Sequence, residues 1–345
     1  GVQTCALPIW IFDREDPLEL LCIRERRDKM TKEKDISAKK LESEDDVFAD
    51  IFNSILFGGR QVIDPQKLRD EPTESFYVDD DGNMRNMFRD ILKSYNNHQM
   101  TLVFLGLENE TRVERPMPIR IMGYDYTNYK KQLDCYTETK KALMRLKHSA
   151  TTDEEKDFVK REINNLGEFK LIPALTLVLN FDEKSWNQPK TLSGLSMDNS
   201  FSKYMQDYEI TVVDVRRLSR EERKRFTSDF RFIANVMAEN GIPDEDKTIA
   251  LAHPVETLDM LIAYTNDNRY KAIRDNIIEK SKRKVVINMG SFLDEVERKA
   301  IVNSARVNLQ LGAEQEFIVR FLMKALNITE QEAVDIFNNE VLKTA

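Results

Sequence analysis

The stretch from Arg89 to Tyr129, RDILKSYNNHQMTLVFLGLENETRVERPMPIRIMGYDYTNY, constrains the fold of this chain more than any other. Asp90 stands near a strand-like segment, a turn-rich break follows at Asn96-Asn97-His98, and an apolar run from Met100 to Leu107 ends at Glu108-Asn109-Glu110. Two extended segments separated by so short a break read as a hairpin, which sets the strands of Asp90 and Glu108 side by side. Side chains alternate along a strand, so Glu108 and Glu110 share a face if the strand stays regular. Register is not fixed by the sequence, and a bulge near the site changes which carboxylates converge. Clustered acids raise one another's pKa unless a cation relieves them. Oxygen ligands of this kind suit Mg²⁺ or Mn²⁺, ions that polarise a phosphodiester and activate a water.

At 345 residues the chain can bury a large core and hold two domains. Hydrophobic content of 41% and charged content of 32% describe a globular chain rather than a disordered one. The net charge of −8 argues against nucleic-acid binding by bulk charge, so phosphate contacts have to come from local basic groups. Cys5, Cys22 and Cys135 show neither metal-ligand spacing nor a disulfide framework, which fits a reducing cytoplasm. His98, His148 and His253 lie too far apart in sequence to suggest zinc chemistry. No apolar run approaches the ~20 residues of a membrane span. Gly1 to Ile9, GVQTCALPI, reads as a translated sequencing-library adapter, and Met30 as the more natural start. Residues 1–29 are therefore expected to lie outside the fold; they carry six acids and five bases, so the charge argument barely changes without them.

Along the chain, Ser43-Glu44-Asp45-Asp46 predicts a capping box opening a helix, with Val47, Phe48, Ile51, Ile55 and Leu56 on one face and Gly58-Gly59 at its end. Strands are expected near 75–79, 86–95 and 99–108, with a turn at Asp79 to Asn83. Pro116 to about Leu146 reads as a long helix, and Thr151-Thr152-Asp153 opens a second that ends near Gly167, the two forming a helical hairpin insertion over about 131–168. Leu171 to Phe181 reads as a central buried strand, and Tyr208 to Val215 as another. Ser219-Arg220-Glu221-Glu222 caps a helix expected to run to about Asn240. From Pro254 onward the pattern is nearly all helical, with Thr329-Glu330-Gln331-Glu332 capping the last short helix; 246–345 is expected to form a helical C-terminal module.

Six segments in this order resemble the PD-(D/E)XK nuclease superfamily, specifically its Rpn/YhgA-like recombination-promoting nuclease group: DVFADIFN (Asp46–Asn53), RDILK (Arg89–Lys93), LGLENET (Leu105–Thr111), MPIRIMGYD (Met117–Asp125), IPALTLVLNF (Ile172–Phe181) and FTSDFR (Phe226–Arg231). The likeness covers about 45 to 240. It implies an α/β fold, a restriction-endonuclease-like core of mixed central sheet flanked by helices, within a domain over 30–245. It implies a Mg²⁺- or Mn²⁺-dependent endodeoxyribonuclease that hydrolyses double-stranded DNA, with Asp90 and Glu108 as metal-binding carboxylates. Glu110 then occupies the superfamily's lysine position, which this group usually fills with glutamine. A glutamate there acts as base or as an additional ligand, or else marks a catalytically weakened protein that keeps the fold as a DNA-binding or interaction module. Arg120 and Tyr124, four apart on the following helix, resemble the group's Arg…Tyr pair, placed to touch a phosphate or steady the carboxylates. Double-strand cleavage needs two sites, so a homodimer is compatible with this reading.

Each of these residues has a plainer reading. Asp90 has an alternative as a surface acid at a strand edge, Glu108 to Glu110 as a strand terminus and turn, Arg120 as a salt-bridge residue and Tyr124 as core. Asp46 at a helix start favours the helix dipole. Lys93 faces phosphate or solvent, Asp125 reads as helix surface and Tyr129 as core. The run Lys280 to Lys284 is a solvated helix end or a DNA contact.

Overall fold

The computed structural model describes residues 31–78, 84–97, 100–111, 116–239, 241–281 and 289–342. The turn expected at 79–83 and the side chains of the basic run 280–284 lie outside these. Residues 31–42 form helix α1, which buries Ala38 and Leu41. The Ser43 hydroxyl donates to the Lys39 carbonyl (2.5 Å), so Ser43 closes α1 instead of opening the next helix. Glu44 is the N-cap of α2 (Asp45–Ile55) and makes no side-chain cap bond; Asp45 and Asp46 in the first turn meet the positive end of the helix dipole. Every residue from Val47 to Ser54 is buried, and the chain leaves α2 through Gly58 (φ 63°) and Gly59 (φ 89°), left-handed positions that favour glycine.

A five-stranded mixed sheet follows, with the order β1 (Leu68–Asp70), β4 (Ile91–Asn97), β5 (Met100–Glu110), β6 (Ala174–Asn180), β7 (Thr211–Asp214). β2 (Glu74–Val78) and β3 (Met84–Phe88) form a separate two-stranded ribbon. The single strand expected over 86–95 is thus broken at Arg89-Asp90, where pairing passes from β2 to β5. Neighbours are antiparallel from β1 to β5 and parallel from β5 to β7. The parallel step from β5 to β6 requires a long crossover, which α3 (Met117–Ser149) and α4 (Asp153–Leu166) supply. Thr152 and Glu155 complete the capping box of α4. In α3 the buried positions Met117, Pro118, Ile121, Tyr124 and Asp125 all lie in the first turns, while further along the Tyr129 hydroxyl accepts from the Ala174 amide of β6 and Gln132 bonds the Ile172 backbone.

Alternation along β5 and β6 gives the sheet two apolar faces. Leu105, Leu107, Leu177 and Leu179 join α1 and α2 on one face, while Val178 meets Met117, Ile121 and Tyr124 of α3 on the other. Between β6 and β7 lie a 3-10 turn (Ser193–Leu195) and a short helix, α5 (Asn199–Ser202). Ser219 caps α6 with Glu222 as expected, but α6 (Arg220–Arg223) is a single turn and α7 (Phe230–Glu239) starts afresh. The cause is Asp50, whose carboxylate accepts from the backbone and hydroxyls of both Thr227 and Ser228 (2.7–2.9 Å) and holds 227–228 out of the helix. Two of the quoted motifs therefore lock onto each other. Asp229 next accepts from the backbone of Ala252 and His253, docking α8 (Pro254–Thr265).

Of the helices expected as a module from 246, α8 and α9 (Asn268–Ser281) instead place Leu258, Leu261 and Ile273 in the first core. Val302 and Ala305 of α10 (Met289–Gln310), Ile318 and Leu322 of α11 (Gln315–Leu326) and Ala333 of α12 (Glu330–Ile336) build a second one. Thr329 caps α12 with Glu332 as the sequence suggests. Among the described residues no helix is long and apolar enough to cross a membrane.

Candidate functional site

The break between β3 and β4 is where the acids gather. Ile91 pairs with Leu107, so Asp90 sits opposite Glu108, and the sole register shift between the strands falls far away, at Tyr95/Asn96. The Asp90 amide donates to Glu108 Oε1 (3.2 Å) and the Asn109 amide donates to Asp90 Oδ2 (2.8 Å), a reciprocal pair that fixes both carboxylates. Glu108 and Glu110 share a face, as alternation predicts, and both meet α3. Arg120 Nη2 binds Glu108 Oε2 and Nη1 binds Glu110 Oε1, each at 2.7 Å, while Nε donates to the Tyr124 hydroxyl at 2.8 Å. The Tyr124 hydroxyl in turn donates to the Phe88 carbonyl. Tyr124 is thus both core and site, its ring packed between α3 and the sheet and its hydroxyl steadying Arg120.

Asn109 points to the opposite face, toward α1, and its amide donates to Glu42 Oε2. Glu42 is wholly buried, and its Oε1 has no hydrogen-bond partner among the described residues. Sequence reasoning passed over Glu42 because a buried acid looks like any other charge in a polar lead-in segment. The available signal was the Ala38–Leu41 apolar pair, which makes 31–42 a helix and turns the adjacent Glu42 partly inward. Beside it, Lys39 Nζ bridges Asp90 Oδ1 and Asp35 Oδ2, at 2.9 Å each.

Two expectations are corrected. Lys93 faces neither phosphate nor solvent: its side chain is 1% exposed and binds Asp45 (2.7 Å) and Asp70 (2.6 Å) on the α2 side of β4. Asp125 is buried rather than at the helix surface, with Oδ1 bound to Arg89 Nη2 (2.5 Å) and Oδ2 accepting from the Tyr208 hydroxyl. Arg89 Nη1 also reaches Thr176 (3.1 Å), lying over Gly106, where a Cβ would collide with the guanidinium. This network pins the segment carrying Asp90 to the helix carrying Arg120.

Burial dominates the electrostatics. Desolvation, then the nearby Asp90, raises both the Glu42 and the Glu108 carboxyl to about 8; Asn109 and Arg120 respectively offset part of this. Arg120 holds its proton more tightly than usual: desolvation opposes the charge, but Glu108, Tyr124 and Glu110 outweigh it. Among the described residues, no three His, Cys, Asp or Glu side chains stand together as a ready cation cage. The donor chemistry still suits a hard divalent cation, since Asp90 and Glu108 are adjacent carboxylates. Their negative charge is met by Lys39 and Arg120.

A groove of about 1560 Å³ opens beside the site, between β4–β5 and the α3–α4 hairpin, reaching Arg89, Tyr124, Tyr126 and Lys131. It exceeds the roughly 300–1,000 Å³ typical of small-molecule pockets. Its acids (Glu71, Glu74, Asp134, Glu168) match its cations in number, so charge alone does not select nucleic acid there.

The raised carboxyls give a signed prediction. A carboxyl whose folded pKa lies above its unfolded value binds more protons in the folded state, so its stabilising contribution is full below about 4.5 and is lost as pH rises through about 8. Glu42→Gln should therefore melt several degrees above the wild-type protein at pH 8.5, with the gap closing toward pH 5. A gap that stays constant across pH by differential scanning fluorimetry contradicts the assignment.

Compared with protein-family models, characterised proteins and solved structures, the chain matches none. The fold is α/β, a five-stranded mixed sheet between helical layers.

Proposed function

We propose that this chain is a divalent-cation-dependent endodeoxyribonuclease with a PD-(D/E)XK core of the Rpn/YhgA-like recombination-promoting type, hydrolysing phosphodiester bonds of double-stranded DNA. The observation that carries the reading is the reciprocal Asp90–Glu108 arrangement at a strand break. The substrate class comes from the sequence resemblance. Asp90 and Glu108 would hold Mg²⁺ or Mn²⁺. When bound, the ion polarises the phosphodiester and lowers the pKa of a water. The protein's own part is positioning. Arg89 and Asp125 hold the Asp90 segment, the Asn109 amide orients the Asp90 carboxylate, and Tyr124 keeps the Arg120 fork aimed at Glu108 and Glu110. A guanidinium in that place also suits a phosphate oxygen.

Ion binding to carboxyls that are protonated near neutrality releases protons. Calorimetric titration with Mn²⁺ at pH 7 should show binding whose enthalpy varies with the buffer's ionisation enthalpy. Glu108→Gln should lose it. Equal Mn²⁺ binding by both proteins overturns the ligand assignment.

The weakened, DNA-binding reading is favoured by one observation: Arg120 occupies Glu108 and Glu110 together. Glu110→Gln separates the two. The nuclease reading, with Glu110 assisting, expects nicking by the wild-type chain and its loss in this variant. The weakened reading expects no nicking by the wild-type chain and its appearance in the variant.

A further inference from the structure

The site has a second cation besides Arg120, and it comes from α1. Asp35, Lys39 and Glu42 recur at helical spacing and share one face. That face is turned to the strand break: Glu42 is bonded to Asn109, and Lys39 to Asp90. An ammonium has three N–H donors. Two of them are met by Asp35 Oδ2 and Asp90 Oδ1, and the side chain is 35% exposed, so the third can be reached from outside. Lys93, the other lysine considered for the site, is enclosed between Asp45 and Asp70. Position 110 carries a glutamate bound to Arg120 and offers no cation.

We propose that Lys39 is a catalytic residue of this site, its ammonium held by Asp90 and Asp35 so that the remaining N–H binds a non-bridging oxygen of the scissile phosphate. The inference rests on the nuclease reading. Lys39 makes and breaks no covalent bond and keeps its proton throughout; its contribution is electrostatic, to charge that builds on the phosphate oxygens as a water oxygen bonds to phosphorus and gives up a proton to solvent, while the P–O ester bond breaks and the leaving oxygen takes up a proton from solvent. Asp35 has a place in this arrangement as the second anchor that stops the flexible lysine stem from wandering.

The test is single-turnover nicking of supercoiled plasmid with Mn²⁺ by the wild-type chain and by Lys39→Met, Lys39→Gln and Lys40→Met. Each is also measured for DNA affinity by fluorescence anisotropy and for melting temperature. Lys40 is exposed on the same helix, so Lys40→Met removes the same charge away from the site. The expected result is a rate about 10²- to 10³-fold lower for both Lys39 variants, the range seen when one charge-stabilising donor is removed. Their DNA affinity should stay within about threefold of wild type, and Lys40→Met should cut at the wild-type rate. Lys39→Arg, which keeps the charge, should recover part of the loss. A folded Lys39→Met or Lys39→Gln protein that cuts within about threefold of wild type overturns this proposal alone, as does a rate loss matched by an equal loss of DNA affinity. Absence of cutting by the folded wild-type chain overturns the nuclease reading and this inference with it.

Discussion

Asp90→Ala and Glu108→Ala should each lower metal-dependent DNA cleavage by about a thousandfold, which corresponds to roughly 4 kcal/mol of lost transition-state stabilisation. The size follows from geometry. Each carboxylate is proposed to touch the ion, and each also fixes the other, since the Asp90 amide holds Glu108 and Asp90 holds the Asn109 amide next to it. Residues acting as a unit are not additive, so the double variant should be no slower than about tenfold below either single one. Stability should move the other way. Glu108 is fully buried with its carboxyl raised to about 8, so Glu108→Gln removes a group that opposes folding at high pH and should melt no lower than wild type at pH 8.5. Active-site acids that are unfavourable for the fold are an expected cost of chemistry. A folded Asp90→Ala protein with wild-type rates would rule out the assignment.

Arg89→Ala should be the most destabilising single change near the site, costing about 3–5 kcal/mol, the range for leaving one partner of a buried ion pair uncompensated. Arg89 and Asp125 are each 3% exposed, and the guanidinium also reaches Thr176 across Gly106. Without it the Asp125 carboxylate keeps, among the described residues, the Tyr208 hydroxyl alone. At about 2–4 °C per kcal/mol the melting temperature should fall by roughly 10 °C. The paired change Arg89→Met with Asp125→Leu should recover much of this, because the isolated charge is removed together with its partner. Recovered stability should not bring recovered cutting, since Asp90 follows directly on Arg89 and the network ties it to the helix of Arg120. Denaturant unfolding reads the first effect. A loss under about 1 kcal/mol for Arg89→Ala contradicts the structural role.

Much of the fold was legible where burial leaves a periodic trace. The Val47–Ile51–Ile55 face, the α3–α4 hairpin with its Thr152 cap, and the Leu171–Phe181 strand all occur, to within a few residues. The expectations that failed did so where side chains rather than periodicity decide the backbone. Ser43 had the right type and spacing for an N-cap but donates backward to Lys39. The helix from Ser219 breaks because Asp50, distant in sequence, captures Thr227 and Ser228. The strand over 86–95 is interrupted at the two residues whose side chains have other tasks, Arg89 in a buried ion pair and Asp90 on the Asn109 amide. In the site, strand parity brought Asp90, Glu108 and Glu110 together from sequence, and helical spacing joined Arg120 to Tyr124. Glu42, Lys39 and Asp125 were out of reach because each gains its meaning from a partner in another element.

The most direct measurement is conversion of supercoiled plasmid to nicked and linear forms by the purified wild-type chain with Mg²⁺ or Mn²⁺, against the same protein in EDTA. The account predicts cutting with either ion and none in EDTA. Intact plasmid after incubation of folded protein with both ions would contradict it.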